Sequence, residues 1–205
     1  MKISWLDNLR VNATIGVILI HASATILFRF TKVPADHWWI ANLYNGGYRY
    51  VVPIFVMLSG ALLLPREEPI GPFLKKSFQR IVMPFLFYNL IFTIFNWQVR
   101  LRGKSFGLSD GLTWVGEQYF NGASYHFWYI YMIIGIYLFI PIIGRWIRSA
   151  PESHIQYFLG VWGLTILFNN PHFPYLKLPV ALTDFTGYVG YLVLGYYLST
   201  KEFSA

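Results

Sequence analysis

The chain has 205 residues, of which 56% are hydrophobic, 20% aromatic and only 12% charged, with a mean hydropathy of +0.45. Soluble domains carry roughly 25% charged residues, so a soluble enzyme is excluded in favour of an all-α, polytopic transmembrane helical bundle forming one membrane-embedded domain over residues 1–205. The net charge of +7 is scattered through the connections between apolar runs; it fits anionic lipid headgroups better than nucleic acid. With no cysteine there is neither a disulfide framework nor a thiolate metal site.

The first apolar segment, Trp5 to Thr25, carries an acid, an arginine and a histidine. At about 100° per residue, Asp7, Arg10, Thr14, His21 and Thr25 fall within one sector, while Val11, Ile15, Val17, Leu19 and Ile20 lie elsewhere. Eleven residues separate Arg10 from His21, close to three turns, so the two share a face but differ in depth by roughly 16 Å. Ionisable groups in hydrocarbon are costly and usually mark a wet or protein-lined path. Two readings stand at this point: a functional stripe, or interfacial residues with Arg10 snorkelling and His21 bonding a neighbouring helix. A cleaved secretory signal is disfavoured, because Asp7 is out of place and apolar residues resume at Ile26.

A polar connection from Arg29 to Asn45 follows, with Trp38 and Trp39 suited to the membrane interface. The second segment runs from Gly46 to Leu64, where Ser59, Gly60 and Ala61 are small enough to let another helix approach closely. The connection Pro65 to Gln79 holds Arg66, Glu67, Glu68, Lys75 and Lys76, and Arg80 and Pro84 open a third segment reaching about Trp97. Gln98 to Tyr125 is a longer polar stretch in which Leu112 to Phe120 reads as an interfacial helix. His126-Phe-Trp-Tyr opens a fourth segment ending near Ile143. Ile155 to Phe168 and, after a connection with Pro171, Pro174, Pro179 and Asp184, Tyr188 to Leu198 are shorter, giving about six spans. Basic residues divide almost equally between the two sides; Lys75, Lys76 and Arg80 in a short connection favour a cytoplasmic N-terminus.

In this order, Asp7-x-x-Arg10 with His21, Phe55-Val-Met-Leu-Ser59-Gly60, Arg80-x-x-x-Pro84 and His126-Phe-Trp-Tyr resemble the acyltransferase-3 family of integral membrane O-acyltransferases. The resemblance extends to Gly190-Tyr-Leu-Val-Leu-Gly195 and covers essentially the whole chain. It implies transfer of an acyl group, usually acetyl, from acyl-CoA to a hydroxyl of an extracytoplasmic glycan or lipid-linked saccharide, in a bacterial inner membrane. The donor acetyl-CoA is then a substrate, with no permanently bound cofactor and no metal. The family commonly has Arg-x-x-Arg before its third helix; Ser77 stands at the first of these positions here, leaving Lys75 or Lys76 to supply the second charge beside Arg80. Family members have about ten helices, so the chain is expected to be the N-terminal part of a longer fold.

Such chemistry needs a base, a thioester site and cations for phosphates. His21 is the expected base, kept neutral by partial desolvation, with either direct transfer or an acyl-histidine intermediate open. Arg10 lies at the donor's phosphate end of the same helix. Lys75, Lys76 and Arg80 are the donor-binding candidates, and Asp7, Ser59 and His126 are further pocket candidates, with packing the simpler role for Ser59 and interface anchoring for His126. A transporter using the Asp7–Arg10–His21 stripe and a non-catalytic scaffold are the competing functions.

Overall fold

The computed structural model describes residues 4–100, 107–168 and 187–201, and their regular structure is helical throughout. In chain order the helices are α1 (Ser4–Leu27), α2 (Ala35–Gly47), α3 (Val51–Leu63), α4 (Ile70–Ser77), α5 (Met83–Arg100), α6 (Leu108–Asn121), α7 (Trp128–Ser149), α8 (Glu152–Phe168) and α9 (Val189–Ser199). A π-helical turn, Phe78–Val82, joins α4 to α5, and a 3-10 turn, Tyr125–Phe127, leads into α7. The expected connection bearing Pro171, Pro174, Pro179 and Asp184, and the basic residues Lys2, Arg102, Lys104 and Lys177, lie outside the described residues.

The expected six spans are corrected to four. Among the described residues, Trp5–Leu27, Ala35–Leu63, Ile70–Val99 and Tyr125–Ser149 are long and apolar enough to cross a membrane. The chain is therefore an integral membrane protein, and its spans among the described residues are fewer but longer than expected. Two expected polar connections supply the extra length: Ala35–Gly47 and Ile70–Ser77 are helical and run on into the apolar segments after them. Within the described residues α8 has 17 residues and α9 11, against the roughly 20 that a 30 Å hydrocarbon layer requires.

The chain divides into two compact units, Met1–Arg66 with Gly144–Ala205, and Glu67–Ile143. In the first, α1 buries Leu6, Ala13, Gly16, Ser23 and Ala24 against α2 and α3. A Cβ at Gly16 would come within 2.5 Å of Val51 Cγ1 and 2.7 Å of a Tyr48 ring carbon, so the missing side chain is what lets this approach occur. The Trp38 indole donates to the Leu27 carbonyl at 3.0 Å, tying the start of α2 to the end of α1.

Packing of α3 on α9 is closer still. A Cβ at Gly60 would run into the Leu192 carbonyl, and one at Gly195 into the Met57 carbonyl. The two backbones thus meet reciprocally through glycines, the usual means of helix association where lipid supplies no hydrophobic drive. At the end of α3, the Arg148 guanidinium donates to the carbonyls of Leu64 and Arg66, each at 2.8 Å. These carbonyls lie where the helix leaves its own unsatisfied.

In the second unit, the π-helical turn has a covalent cause. Pro84 offers no N–H to the carbonyl of Arg80, and its ring crowds that carbonyl. The winding widens just before it, and the Met83 N–H reaches back to the Phe78 carbonyl, the i→i+5 bond of a π-bulge. Phe85, Ala123 and Phe127 form a buried cluster with Phe92, Ile130 and Tyr131 against it. Helix α6 extends the expected interfacial helix by a few residues at its start.

Candidate active site

Helix α1 is continuous from Ser4 to Leu27, so the stripe exists as one face. Three sectors divide its surface. Leu6, Ala13, Gly16 and Ala24 are buried, and Val11, Ile15 and Ile18 are exposed apolar residues. Between them run Asp7, Arg10, Thr14 and Thr25, all exposed, and His21, half-buried. Arg10 Nη1 donates to Asp7 Oδ1 at 3.1 Å, with each side chain about half accessible. The acid thus partly neutralises and orients the guanidinium. The threonine hydroxyls donate to their own helix, Thr14 to the Arg10 carbonyl at 2.8 Å and Thr25 to that of Ala22 at 3.2 Å, which lets them sit in an apolar span at little cost.

The turn that carries His21 has polar neighbours that the sequence pattern did not single out. The Ile20 carbonyl, one residue before His21, accepts from Ser23 Oγ at 3.1 Å and from Asn45 Nδ2 of α2 at 3.3 Å. Arg49 Nη2 in turn donates to Asn45 Oδ1 at 3.4 Å. A second guanidinium is thereby linked, through one buried amide, to the backbone beside His21. The four-residue spacing of Asn45 and Arg49 was the available signal, but it fell at the edge of a segment read as a connection.

Ser59 is half-buried on α3 and donates to the Phe55 carbonyl of its own helix at 3.0 Å. An apolar cavity of about 410 Å³ opens beside the start of α1, lined by Trp5, Leu6 and Leu9, by Met57 and Leu58 of α3, and by Ser199 and Lys201 near the end of α9. Its size is that of a small-molecule site, but Leu9 is about 18 Å of helix rise from His21. The cavity therefore belongs to the Arg10 end of α1. At its edge Lys201 forms an ion pair with Glu152 at 2.5 Å. Lys201, with help from Tyr197 and Gln156, holds the Glu152 carboxyl below its ordinary range, and the carboxylate correspondingly raises Lys201.

In the second unit, Lys75 and Lys76 occupy the last turn of α4 and Arg80 the π-helical turn, all three exposed. Because winding is wider there by one residue, positions four and five before Arg80 fall near its face. Lys76 is met by Glu68 at 3.5 Å. Ser77, which stands where an arginine was expected, donates to the Phe73 carbonyl at 2.8 Å. His126 is half-buried: its Nδ1 is hydrogen-bonded to Ser124 Oγ at 2.9 Å, and Phe92 and Phe127 meet its ring edge-on at 5.3 and 4.7 Å.

The predicted residues thus form two sets. Asp7, Arg10, His21 and Ser59 lie in the first unit, with the Asn45–Arg49 pair added to them; Lys75, Lys76, Arg80 and His126 lie in the second. The first set can hold and move a proton beside paired charges, and the second presents cations to an anion. A family model described as an acyltransferase domain, acyltransferase 3, matches residues 3–204. No curated protein and no solved structure matches the chain.

Proposed function

Since that match spans nearly all of the chain and it therefore belongs to the acyltransferase-3 family, a membrane acyltransferase, we propose that it moves an acetyl group from acetyl-CoA to a hydroxyl of an extracytoplasmic glycan or lipid-linked saccharide, with His21 as general base. The observation that carries this reading is the arrangement of faces on α1: Asp7, Arg10 and His21 share one sector of the helix, between the buried residues Leu6, Ala13 and Ala24 and the exposed apolar residues Val11, Ile15 and Ile18. Ionisable residues sharing one face of a membrane span usually mark a wet or substrate-lined path. A substrate threading along the stripe fits such a path.

In the direct form of the reaction, His21 takes the proton of the acceptor hydroxyl. The oxygen bonds to the thioester carbonyl carbon, the carbon–sulfur bond breaks, and the departing thiolate takes the proton from the imidazolium. Within the first unit, Arg10 lies on the donor side of His21; within the second, Lys75, Lys76 and Arg80 are the cations suited to the donor's phosphates. The roughly 16 Å rise from Arg10 to His21 fits an extended pantetheine arm, which puts the acyl carbon at the imidazole. We place the chain as one membrane domain in a bacterial inner membrane with its N-terminus cytoplasmic, because Lys75, Lys76 and Arg80 gather in the first turns of the Ile70–Val99 span, and basic residues favour the cytoplasmic end of a span.

The test is incorporation of labelled acetyl from acetyl-CoA into the glycan and lipid-linked fractions of membranes, comparing wild type with His21→Ala and His21→Gln at matched expression. A positioned general base contributes roughly 10²- to 10⁴-fold, so both variants are expected to lose that factor in kcat. Retention of full transfer by both would remove His21 from the chemistry.

A further inference from the structure

We propose that Asn89 and Asn96 are positioning residues that fix His126 in the second unit, a role whose catalytic relevance rests on the acyl-transfer reading above. Both lie in the Ile70–Val99 span and are buried to 0% and 7% accessibility. An amide in a membrane span is costly unless every polar atom is met, and here the bonds converge on two residues. Asn89 donates through Nδ2 to the Gln118 carbonyl at 3.3 Å and accepts through Oδ1 from the Ala123 N–H at 2.9 Å. Asn96 donates through Nδ2 to Gln118 Oε1 at 3.1 Å and to the Ala123 carbonyl at 2.7 Å.

Ala123 is thus gripped at both its N–H and its carbonyl from positions two turns apart on one helix. The preceding residue, Gly122, has φ +83°, the left-handed conformation that a side chain resists, so the chain reverses there into the segment that bears His126. The following residue, Ser124, is the one bonded to His126 Nδ1. Phe92, between the two asparagines on α5, packs edge-on against the imidazole, and the Tyr131 hydroxyl donates to the Tyr119 carbonyl at 2.7 Å from the far side of the turn. Polar residues serving only as helix glue would distribute their bonds along the contact between α5 and α6. These fix the backbone immediately before one histidine, while the same helix face supports its ring.

The depth is also telling. Phe92, at the level of the imidazole, is about 18 Å of helix rise beyond Arg80, nearly the same interval that separates His21 from Arg10 along α1. Each unit therefore carries a cation and, one pantetheine length further along, an imidazole. The geometry gives His126 the role of an oriented group for the acceptor hydroxyl or the acyl carbonyl, its ring orientation held through Ser124.

The experiment uses the full chain in lipid nanodiscs, with the rate of carbethoxylation of each histidine by diethyl pyrocarbonate read by peptide mass spectrometry. Asn96→Leu is expected to change the rate at His126 several-fold and leave surface-exposed His37 unchanged. Thr93→Val, which removes a buried hydroxyl from the same helix face but only its bond to the Asn89 carbonyl, is expected to leave both rates unchanged. If Asn96→Leu yields no monodisperse protein, Asn89→Ser and Ser124→Ala are read in the same way. An unchanged His126 rate in folded variants, or an equal change in Thr93→Val, overturns the proposal. In acetyl-transfer assays the same asparagine variants are expected to displace the pH profile of kcat. Displaced His126 reactivity without transfer by wild type would preserve the positioning and remove the transferase reading, whereas active wild type with unmoved His126 reactivity would remove the positioning alone.

Discussion

Replacement of Gly60 by alanine tests the α3–α9 crossing most directly. The added Cβ meets the Leu192 carbonyl, which is backbone and cannot rotate away as a side chain can. Gly160 on α8 provides the matched control, since a Cβ there meets nothing within 4 Å. Both substitutions gain the same helical propensity, about 1 kcal/mol, so the difference between them isolates the clash. Overpacking costs typically about 1–3 kcal/mol, and a rigid carbonyl argues for the upper part of that range. The unfolding equilibrium constants of Gly60→Ala and Gly160→Ala should then differ by roughly five- to 160-fold. Denaturation by SDS in bicelles, followed by tryptophan fluorescence, measures both. Gly195→Ala should behave like Gly60→Ala, and the double variant should cost less than the sum, because the first opening relieves the second clash. Equal stability of Gly60→Ala and Gly160→Ala would refute the close crossing.

Lys76→Ala and Arg80→Ala should each raise KM for the acyl-CoA donor by about fivefold, corresponding to about 1 kcal/mol for an exposed charge contact; kcat should change little, and the effect should shrink as salt is added, as steady-state kinetics over an ionic-strength series would show. Arg148→Met removes the donor to the Leu64 and Arg66 carbonyls and should destabilise the chain by about 1 kcal/mol, measured by the same SDS titration, with no effect on donor KM. The Glu152 carboxyl is held below its ordinary range, so its stabilising contribution is present above the unfolded carboxylate pKa and fades as pH falls through the lowered folded value. Lys201, held high, contributes below its unfolded pKa and loses that contribution as pH rises through its folded value. Thermal unfolding of Glu152→Gln should therefore differ from wild type at neutral pH and converge with it in acid.

Much of this was legible from residue spacing. The face shared by Asp7, Arg10 and His21 follows from helical periodicity alone, and Gly60 announced a close approach because small residues have few other uses in an apolar span. Span lengths were not legible, for a specific reason. Trp38, Trp39, Asp36 and Asn45 give Ala35–Gly47 the composition of a connection, yet Trp38 bonds the end of α1 and Asn45 bonds its Ile20 carbonyl. The polar groups that make the stretch look like a loop are those that dock it as a helix. Lys75 and Lys76 disguise Ile70–Ser77 in the same way, since both charges stay exposed on the last turn of that helix.

The asparagines of α5 show the deeper limit. In sequence, Asn89, Thr93 and Asn96 recur at the spacing of one helix face, and that pattern alone allows helix association, a solute path or a buried network. Their meaning depends on what they meet, and Gln118 and Ala123 lie 22 to 34 residues further along the chain. A hydrogen bond across such a separation leaves no local signature, because neither partner changes the propensity of its own element. Gly122 does leave one, but a lone glycine between two helices reads as a turn. Only when the turn, the two amides and Ser124 are placed together does His126 change from a histidine at the head of an aromatic run into a group whose ring is held from two sides.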